Sequence, residues 1–408
     1  MKGDYKRISA HHIGGRNGSR AFPLLKKFEK DIVNVLYDAD SNCLEHVREV
    51  NQNRKSELHV LPYCVGDICK TTSFNINYDP FTSSLYDVNP DYKSYYYFSG
   101  DHDYVLSEVT QTVEKSSVNV VSMDYIFQST NTSIPPPDFL SMDTQGAEYE
   151  ILQGAKETLK SNVLAIVLEA EFQPIYKGQK LFGDLVTFLS SQGFEFIRFL
   201  GIHEFTPFRA PIGLRGEGSH TFCDALFFRR IDNLDNKDEL KRYIMLKKLA
   251  FIAIAFNQFE YGVECLRRSR CLDSDHLSRK EDLPNYFLFL SELQRQIEQM
   301  PAVYPPSFVS RFPSFEESKL RFQCHAIKRK EIAKRRGVFN RIKQSLREIG
   351  IIYALLREIK QFTDKVFTKV YSCGKKMFCR DTGVENILIK YGLKKQAQIL
   401  KKNRIIQG

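Results

Sequence analysis

From residue 6 to about 230, short apolar runs alternate with stretches whose apolar residues recur at three- and four-residue spacing. Strands that alternate with helices cannot pair as hairpins. Each must cross over to a parallel neighbour, so the pattern predicts βαβ units around a mostly parallel sheet with helices on both faces. Seven strands are expected, at Arg7–Ile13, Ile32–Tyr37, Leu58–Val65, Phe139–Met142, Val163–Leu168, Phe194–Phe199 and Phe222–Arg229. Helices are expected at about 20–30, 42–52, 147–160 and 181–192. The stretch 68–118, rich in Tyr, Ser and Asp, is too long for a crossover loop and reads as an insertion or lid at the sheet's edge.

In an open α/β sheet, ligands bind beyond the carboxyl ends of the strands, so the residues that close each strand carry the functional signal. The first strand runs into Gly14-Gly15-Arg16-Asn17-Gly18. Glycines there let the backbone approach a ligand, although any strand-to-helix turn uses glycine. No Lys-Ser/Thr pair follows, which excludes a P-loop. The second strand closes in Tyr37-Asp38-Ala39-Asp40, about 20 residues on. A carboxylate at that point accepts hydrogen bonds from ribose hydroxyls, or caps the next helix, a role that suits Asp40 better. The third closes in Val65-Gly66-Asp67, placed to meet a base or simply to turn. The fourth ends at Asp143, where Thr144-Gln145-Gly146 turns the chain into a helix, so Asp143 faces a ligand, caps that helix, or both. On the fifth strand Glu169 and Glu171, two apart, share a side.

These segments resemble the FkbM-type methyltransferases. The similarity runs in register over about 1–232 through HIGGRNG, YDADSNC, LPYCVGD, Ser83-Ser84-Leu85, VVSMDYI, DFLSMDTQGAEYEILQGA, VLEAEFQPIYKGQKLFGDL, GFEF and CDALFFRR. The resemblance implies a Rossmann-like class I methyltransferase fold that uses S-adenosyl-L-methionine and O-methylates sugars, glycans or related natural products. It assigns the methionine end and ribose of the cofactor to Gly14, Gly15, Arg16, Asn17 and Gly18, the ribose hydroxyls to Asp38 beside Ala39, and the adenine to Asp67. Asp143, Gln145, Glu148, Glu169, Glu171 and Tyr176 would line the reaction chamber, with Asp143 the first choice of general base and Glu169 beside it; His12, His203 and His220 are alternates. Two positions depart from the family pattern. His12 stands where an acid is usual, and Ser141 where Lys is common. The tyrosines of 86–97 would suit stacking on a sugar ring.

Beyond residue 232 the strand pattern stops. Residues 233–300 read as a helical hairpin broken near Asn257, and 301–408 as a basic helical tail in which Ile342, Leu346, Ile349, Tyr353 and Leu356 form an apolar stripe. The net charge of +10 is uneven: residues 319–408 hold 24 Lys+Arg against 6 Asp+Glu, or +18, leaving −8 for the rest. Such a tail invites an anionic membrane surface or a partner that assembles glycans. It also suits nucleic acid, less favoured here because Asp143-Thr144-Gln145-Gly146 replaces the Asn/Asp-Pro-Pro-aromatic sequence common in base-modifying enzymes. A degenerate methyltransferase fold serving as a scaffold or binding protein is the rival from another class. Nine scattered cysteines without CxxC spacing, no structural metal motif, and no span of about 18 apolar residues point to a cytoplasmic location, with peripheral membrane association as an extension.

Overall fold

The structure, a computed structural model, describes residues 6–14, 21–39, 47–49, 56–99, 102–129, 132–209, 217–235, 238–269, 283–300 and 383–402. Met1–Arg295 with Ile387–Gln396 forms one compact unit, and Gln296–Asn386 with Ala397–Gly408 a second. The apolar stripe from Ile342 to Leu356 lies outside the described residues.

In chain order, the strands are β1 (Ile8–Ile13), β2 (Ile32–Tyr37), β3 (Glu57–Leu61), β4 (Cys64–Val65), β5 (Lys70–Asn77), β6 (Tyr96–Ser99), β7 (His102–Val105), β8 (Thr112–Val121), β9 (Phe139–Met142), β10 (Ala165–Glu171), β11 (Phe194–Phe205) and β12 (Ser219–Arg229). Seven of them form the main sheet in the order β11-β12-β10-β9-β1-β2-β3. Six strands point the same way, and β12 lies antiparallel between β10 and β11. Counting only sheet strands along the chain, the order is 3-2-1-4-5-7-6. The direction of winding reverses between β1 and β9, and this switch point opens a crevice beyond their carboxyl ends. All seven expected strands are present, except that the third, expected over Leu58–Val65, ends at Leu61 and its last residues form β4 of a separate sheet; the class I methyltransferase fold is the architecture observed.

Every residue of β1, β2 and β9 is buried, as continuous apolar runs covered on both faces require. One face packs on Ile151, Leu152 and Leu159 of the helices Glu148–Gln153 and Lys156–Ser161 and on Leu185 and Leu189 of the helix Phe182–Ser191. The expected helix 147–160 is thus broken in two. At the break, a Cβ on Gly154 would stand 2.2 Å from the Gly66 carbonyl oxygen, so only glycine lets the two turns meet. On the other face, Phe139 of β9 stacks on Phe256 (5.6 Å) at the end of the helix Glu239–Ala255. All thirteen residues Tyr243–Ala255 are buried, the mark of a helix enclosed on every side. Its Lys248 pairs at 2.7 Å with Asp138, whose carboxylate also accepts the amide of Ser9 in β1. Removing Lys248 alone would strand a buried carboxylate, at a cost of about 3–5 kcal/mol. The hairpin breaks at the expected place: Asn257 adopts φ +64° between this helix and Phe259–Ser269.

The segment 68–118 folds into β-structure of its own. β5 and β8 pair antiparallel and carry β4 along, while β6 and β7 form a hairpin. Backbone bridges tie Val88 to Tyr176 and Tyr96 to Thr206, so the insertion is laced to the loops that follow β10 and β11. It roofs the crevice.

Candidate active site

Two cavities open beyond the strand ends and share Asp143, Gln145 and Phe81. The first is a cleft walled by Gly14, Asp38, Ala39, Tyr63, Val65 and Leu85. The second, about 330 Å³, is the chamber beneath the insertion.

At the switch point the ends of β1 and β9 touch. Gly14 adopts φ +78°, and a Cβ there would lie 1.9 Å from the Asp143 carbonyl oxygen. The Asp143 amide donates to Ile13 O, and the Gly14 amide to Tyr37 O, each at 3.1 Å. Asp38, next after β2, borders the same cleft. Glycine, ribose-type acid and central acid thus meet where the topology predicts. Gly15, Arg16, Asn17, Gly18 and Asp40 lie outside the described residues.

Gln145 links the two cavities. Its φ of +56° is uncommon for a residue with a side chain. Its Nε2 donates to Asp143 (2.8 Å) and to Glu169 (3.0 Å), its Oε1 accepts from the Tyr176 hydroxyl (2.6 Å), and its carbonyl accepts from the Ser84 hydroxyl (2.7 Å). The side chain therefore holds two carboxylates in register, while the Ser83-Ser84-Leu85 turn pins its backbone. Tyr176 packs over Gly146, where a Cβ would meet its ring at 3.1 Å.

The chamber is acidic. Asp143 opens to the cleft yet is ringed by protein; burial raises its pKa, and although the Gln145 hydrogen bond opposes the shift, Asp224 adds to it. Glu169 is held well above the usual carboxylate range by burial and then by repulsion from Asp143 and Glu171. Glu171 is 1% exposed and shifted the same way by burial and by Glu148. A carboxylate whose pKa rises toward neutrality is a stronger base when ionised, which suits Asp143 to take a hydroxyl proton.

Two expected site residues sit elsewhere. Glu148 is 2% exposed and turned into the Asp143–Gly146 turn, where it accepts from the Thr144 amide (2.7 Å), the Thr144 hydroxyl (2.8 Å) and the Gly146 amide (3.1 Å). Burial still lifts its pKa to about 7. It shapes the turn and does not border the chamber. Asp67 is ion-paired with Lys70 at 2.8 Å and does not border the cleft; the wall there is built by Tyr63, Cys64 and Val65 instead.

The two departures from the family pattern prove to be one. His12 and Ser141 are register partners on adjacent parallel strands, both buried, and His12 Nδ1 lies 2.5 Å from the Ser141 hydroxyl. Neither borders a cavity. The two positions thus contact each other beside the site and leave the site's own residues in place.

Of the alternate bases, His203 borders the chamber, stacked on Phe222 at 4.5 Å, whereas His220 is exposed and paired with Glu204. Chamber residues that sequence reasoning missed include Phe81, Tyr104, Phe205 and Phe222. Phe205 and Phe222 lie where β11 continues past Phe199 and β12 begins before Phe222, and the alternating run after Phe199 was the signal. Of the tyrosines of 86–97, Tyr97 borders the chamber, while Tyr92 and Tyr95 pack on each other. Among the described residues no cluster of His, Cys, Asp and Glu is arranged to hold a metal.

No curated protein matches the chain. Solved structures with a likeness to it include a methyltransferase FkbM from Methylobacillus flagellatus, 14% identical over 55% of this chain and 44% of that one, with a TM-score of 0.31. Others are a magnesium protoporphyrin IX methyltransferase from Synechocystis solved with bound SAM (10% identical, 56% and 73% covered, TM-score 0.28) and a TehB-like SAM-dependent methyltransferase from Corynebacterium glutamicum (10%, 55% and 80%, 0.26). The chain thus spans less than half the length of the first of these. The family model described as Methyltransferase FkbM domain matches residues 12–196, from His12 in β1 to Phe196 in β11, and over that span the chain is similar to the FkbM methyltransferases.

Proposed function

We propose that the protein is an S-adenosyl-L-methionine-dependent O-methyltransferase acting on a hydroxyl of a sugar, glycan or related natural product. The observation that carries this reading is the junction of the two cavities at Asp143 and Gln145. The residues present fit the cofactor: the missing Cβ of Gly14 lets the ends of β1 and β9 close together beside the cleft, Asp38 is positioned to accept from ribose hydroxyls, and Tyr63, Val65 and Leu85 offer an apolar wall for a base. When bound, the cofactor supplies an electrophilic methyl group on a sulfonium.

The chain's own residues then have three tasks. Gln145 fixes Asp143 and Glu169 at the mouth between cleft and chamber, so that an acceptor is oriented and needs little reorganisation. Asp143 takes the acceptor's hydroxyl proton as the new O–CH3 bond forms. The roof of Phe81, Tyr97 and Tyr104 keeps bulk water off the acceptor. A chamber of about 330 Å³ lies at the small end of the ligand pockets known in proteins, which favours one sugar residue or a compact group at a time.

The basic segment 319–408, outside most of the described residues, is proposed to dock a cytoplasmic enzyme on anionic membrane or on a glycan-assembling partner. Among the described residues no helix is long and apolar enough to cross a membrane. The test of the main reading is calorimetric binding of S-adenosylhomocysteine followed by transfer of labelled methyl from S-adenosylmethionine to a glycan pool. Tight binding with label in base-stable ether linkage supports it. No binding overturns the cofactor, and label confined to amines or carboxyl esters overturns O-methylation.

A further inference from the structure

β10 and β12 place an unusual charge pattern at and beside the chamber. Glu169 and Glu171 share one side of β10, and Asp224 of β12 stands directly opposite Glu169 in the antiparallel register. Like charges in directly opposed positions destabilise a sheet unless something compensates them. Among the lining residues only His203 opposes them, on the side of Asp224 and Asp143; no Lys or Arg borders the chamber, and neither Glu169 nor Glu171 has a cation beside it there. Gln145 engages Glu169, but both carboxyl oxygens of Glu171 lack a hydrogen-bond partner among the described residues, although the side chain is 1% exposed. Gln179 is the amide beside Glu171 and opposes the rise in its pKa, but the Gln179 Nε2 and both Glu171 oxygens fall short of hydrogen-bonding geometry, so at most one of the two oxygens has a neighbour to turn to. A buried carboxyl group left without partners is costly, and it borders a cavity.

The cofactor's sulfonium is not the missing partner. Glu169 and Glu171 border the chamber and not the cofactor cleft, which Asp143 alone of these three carboxylates faces. What is missing therefore belongs to the acceptor. Around the carboxylates stand the rings of Tyr97, Tyr104, Phe205 and Phe222. Aromatic faces serve both a sugar ring and an alkylammonium cation.

Building on the methyltransferase reading above, we propose that the acceptor carries a protonated amine beside the hydroxyl to be methylated, as an amino sugar does, and that Glu171 together with Glu169 holds that ammonium. An ammonium brings three donors and one positive charge to a place that has unpaired acceptors, and its charge favours ionisation of carboxyl groups that burial and mutual repulsion otherwise disfavour. An anionic acceptor such as a uronate is repelled by the same groups.

The experiment uses the full chain saturated with S-adenosylhomocysteine and measures calorimetric binding of the methyl glycosides of glucosamine, N-acetylglucosamine, glucose and glucuronic acid at a pH where the free amine is protonated. The glucosamine glycoside is expected to bind at least tenfold tighter than the glucose and N-acetylglucosamine glycosides, and the glucuronide not at all. Glu171→Gln is expected to abolish the preference while leaving affinity for S-adenosylhomocysteine unchanged, which also shows that the variant is folded; Glu169→Gln provides the same test at the second carboxylate. Equal binding of the amino and neutral sugars, absence of amino-sugar binding, or a preference that survives both variants overturns the inference alone. Failure of S-adenosylhomocysteine itself to bind overturns the methyltransferase reading and takes the inference with it.

Discussion

Gly14→Ala tests the contact on which the site is built. The added Cβ would sit 1.9 Å from the Asp143 carbonyl oxygen, against an ordinary van der Waals separation of 3.4 Å or more. The obstacle is backbone, so the ends of β1 and β9 must part by roughly the difference, on the order of 1.5 Å. Such a movement breaks the hydrogen bonds from the Asp143 amide to Ile13 and from the Gly14 amide to Tyr37, at about 1 kcal/mol each. The left-handed backbone, φ +78°, adds about 1–2 kcal/mol for a residue with a side chain. The sum is a loss of about 3–4 kcal/mol in stability by denaturant titration. Gly178→Ala is the internal control. Its φ is +79° and no atom lies within 4 Å of its added Cβ, so it carries the conformational cost of about 1–2 kcal/mol and nothing else. Affinity for S-adenosylhomocysteine should fall at least tenfold in Gly14→Ala and stay unchanged in Gly178→Ala. Equal destabilisation by the two substitutions refutes the close approach of β1 to β9.

Four further outcomes follow from the same geometry. Asp38→Ala should weaken S-adenosylhomocysteine binding about 10- to 100-fold in calorimetry, the equivalent of losing hydrogen bonds to a charged group worth about 1.5–3 kcal/mol. Gln145→Ala should lower kcat/KM by a similar factor and move the acid limb of the pH–rate profile upward: the Gln145 hydrogen bond favours ionised Asp143, so its loss raises further a pKa that burial has already raised. Glu148 titrates at about 7 in the folded chain against an ordinary 4.5. Between these values the unfolded state has lost a proton that the folded state keeps, so stability falls as pH rises, by roughly 3 kcal/mol in all from this group; urea midpoints from pH 4.5 to 8 should show that slope reduced in Glu148→Gln. His12→Asp and Ser141→Lys should each destabilise by burying an unpaired charge, while the double variant recovers at least about 1 kcal/mol of coupling, read from a denaturation cycle.

The strands and the residues that close them were legible because a buried parallel strand is an uninterrupted apolar run, and because the first residue beyond it is free to be polar only if it faces the crevice. Gly14, Asp38 and Asp143 were found that way, and Gln145 came from the family resemblance. Asp67 satisfied the same rule and Glu148 came from the resemblance, yet both are occupied otherwise, one by Lys70 three residues on and the other by amides of its own turn, and such short-range partners leave no periodic trace. The aromatic chamber was harder to see. Phe81, Tyr104, Phe205 and Phe222 come from three separate segments, and only the folded insertion, bridged to Tyr176 and Thr206, brings them together. The pairing of His12 with Ser141 was equally hidden, since it depends on the register of two strands separated by 129 positions.

The most direct measurement is a crystal structure of the full chain with S-adenosylhomocysteine. The account predicts the ribose hydroxyls on Asp38, the nucleoside against Tyr63, Val65 and Leu85, and the sulfur pointing toward the Asp143–Gln145 mouth of the acidic chamber. A nucleoside bound elsewhere, or a sulfur turned away from that mouth, would contradict it.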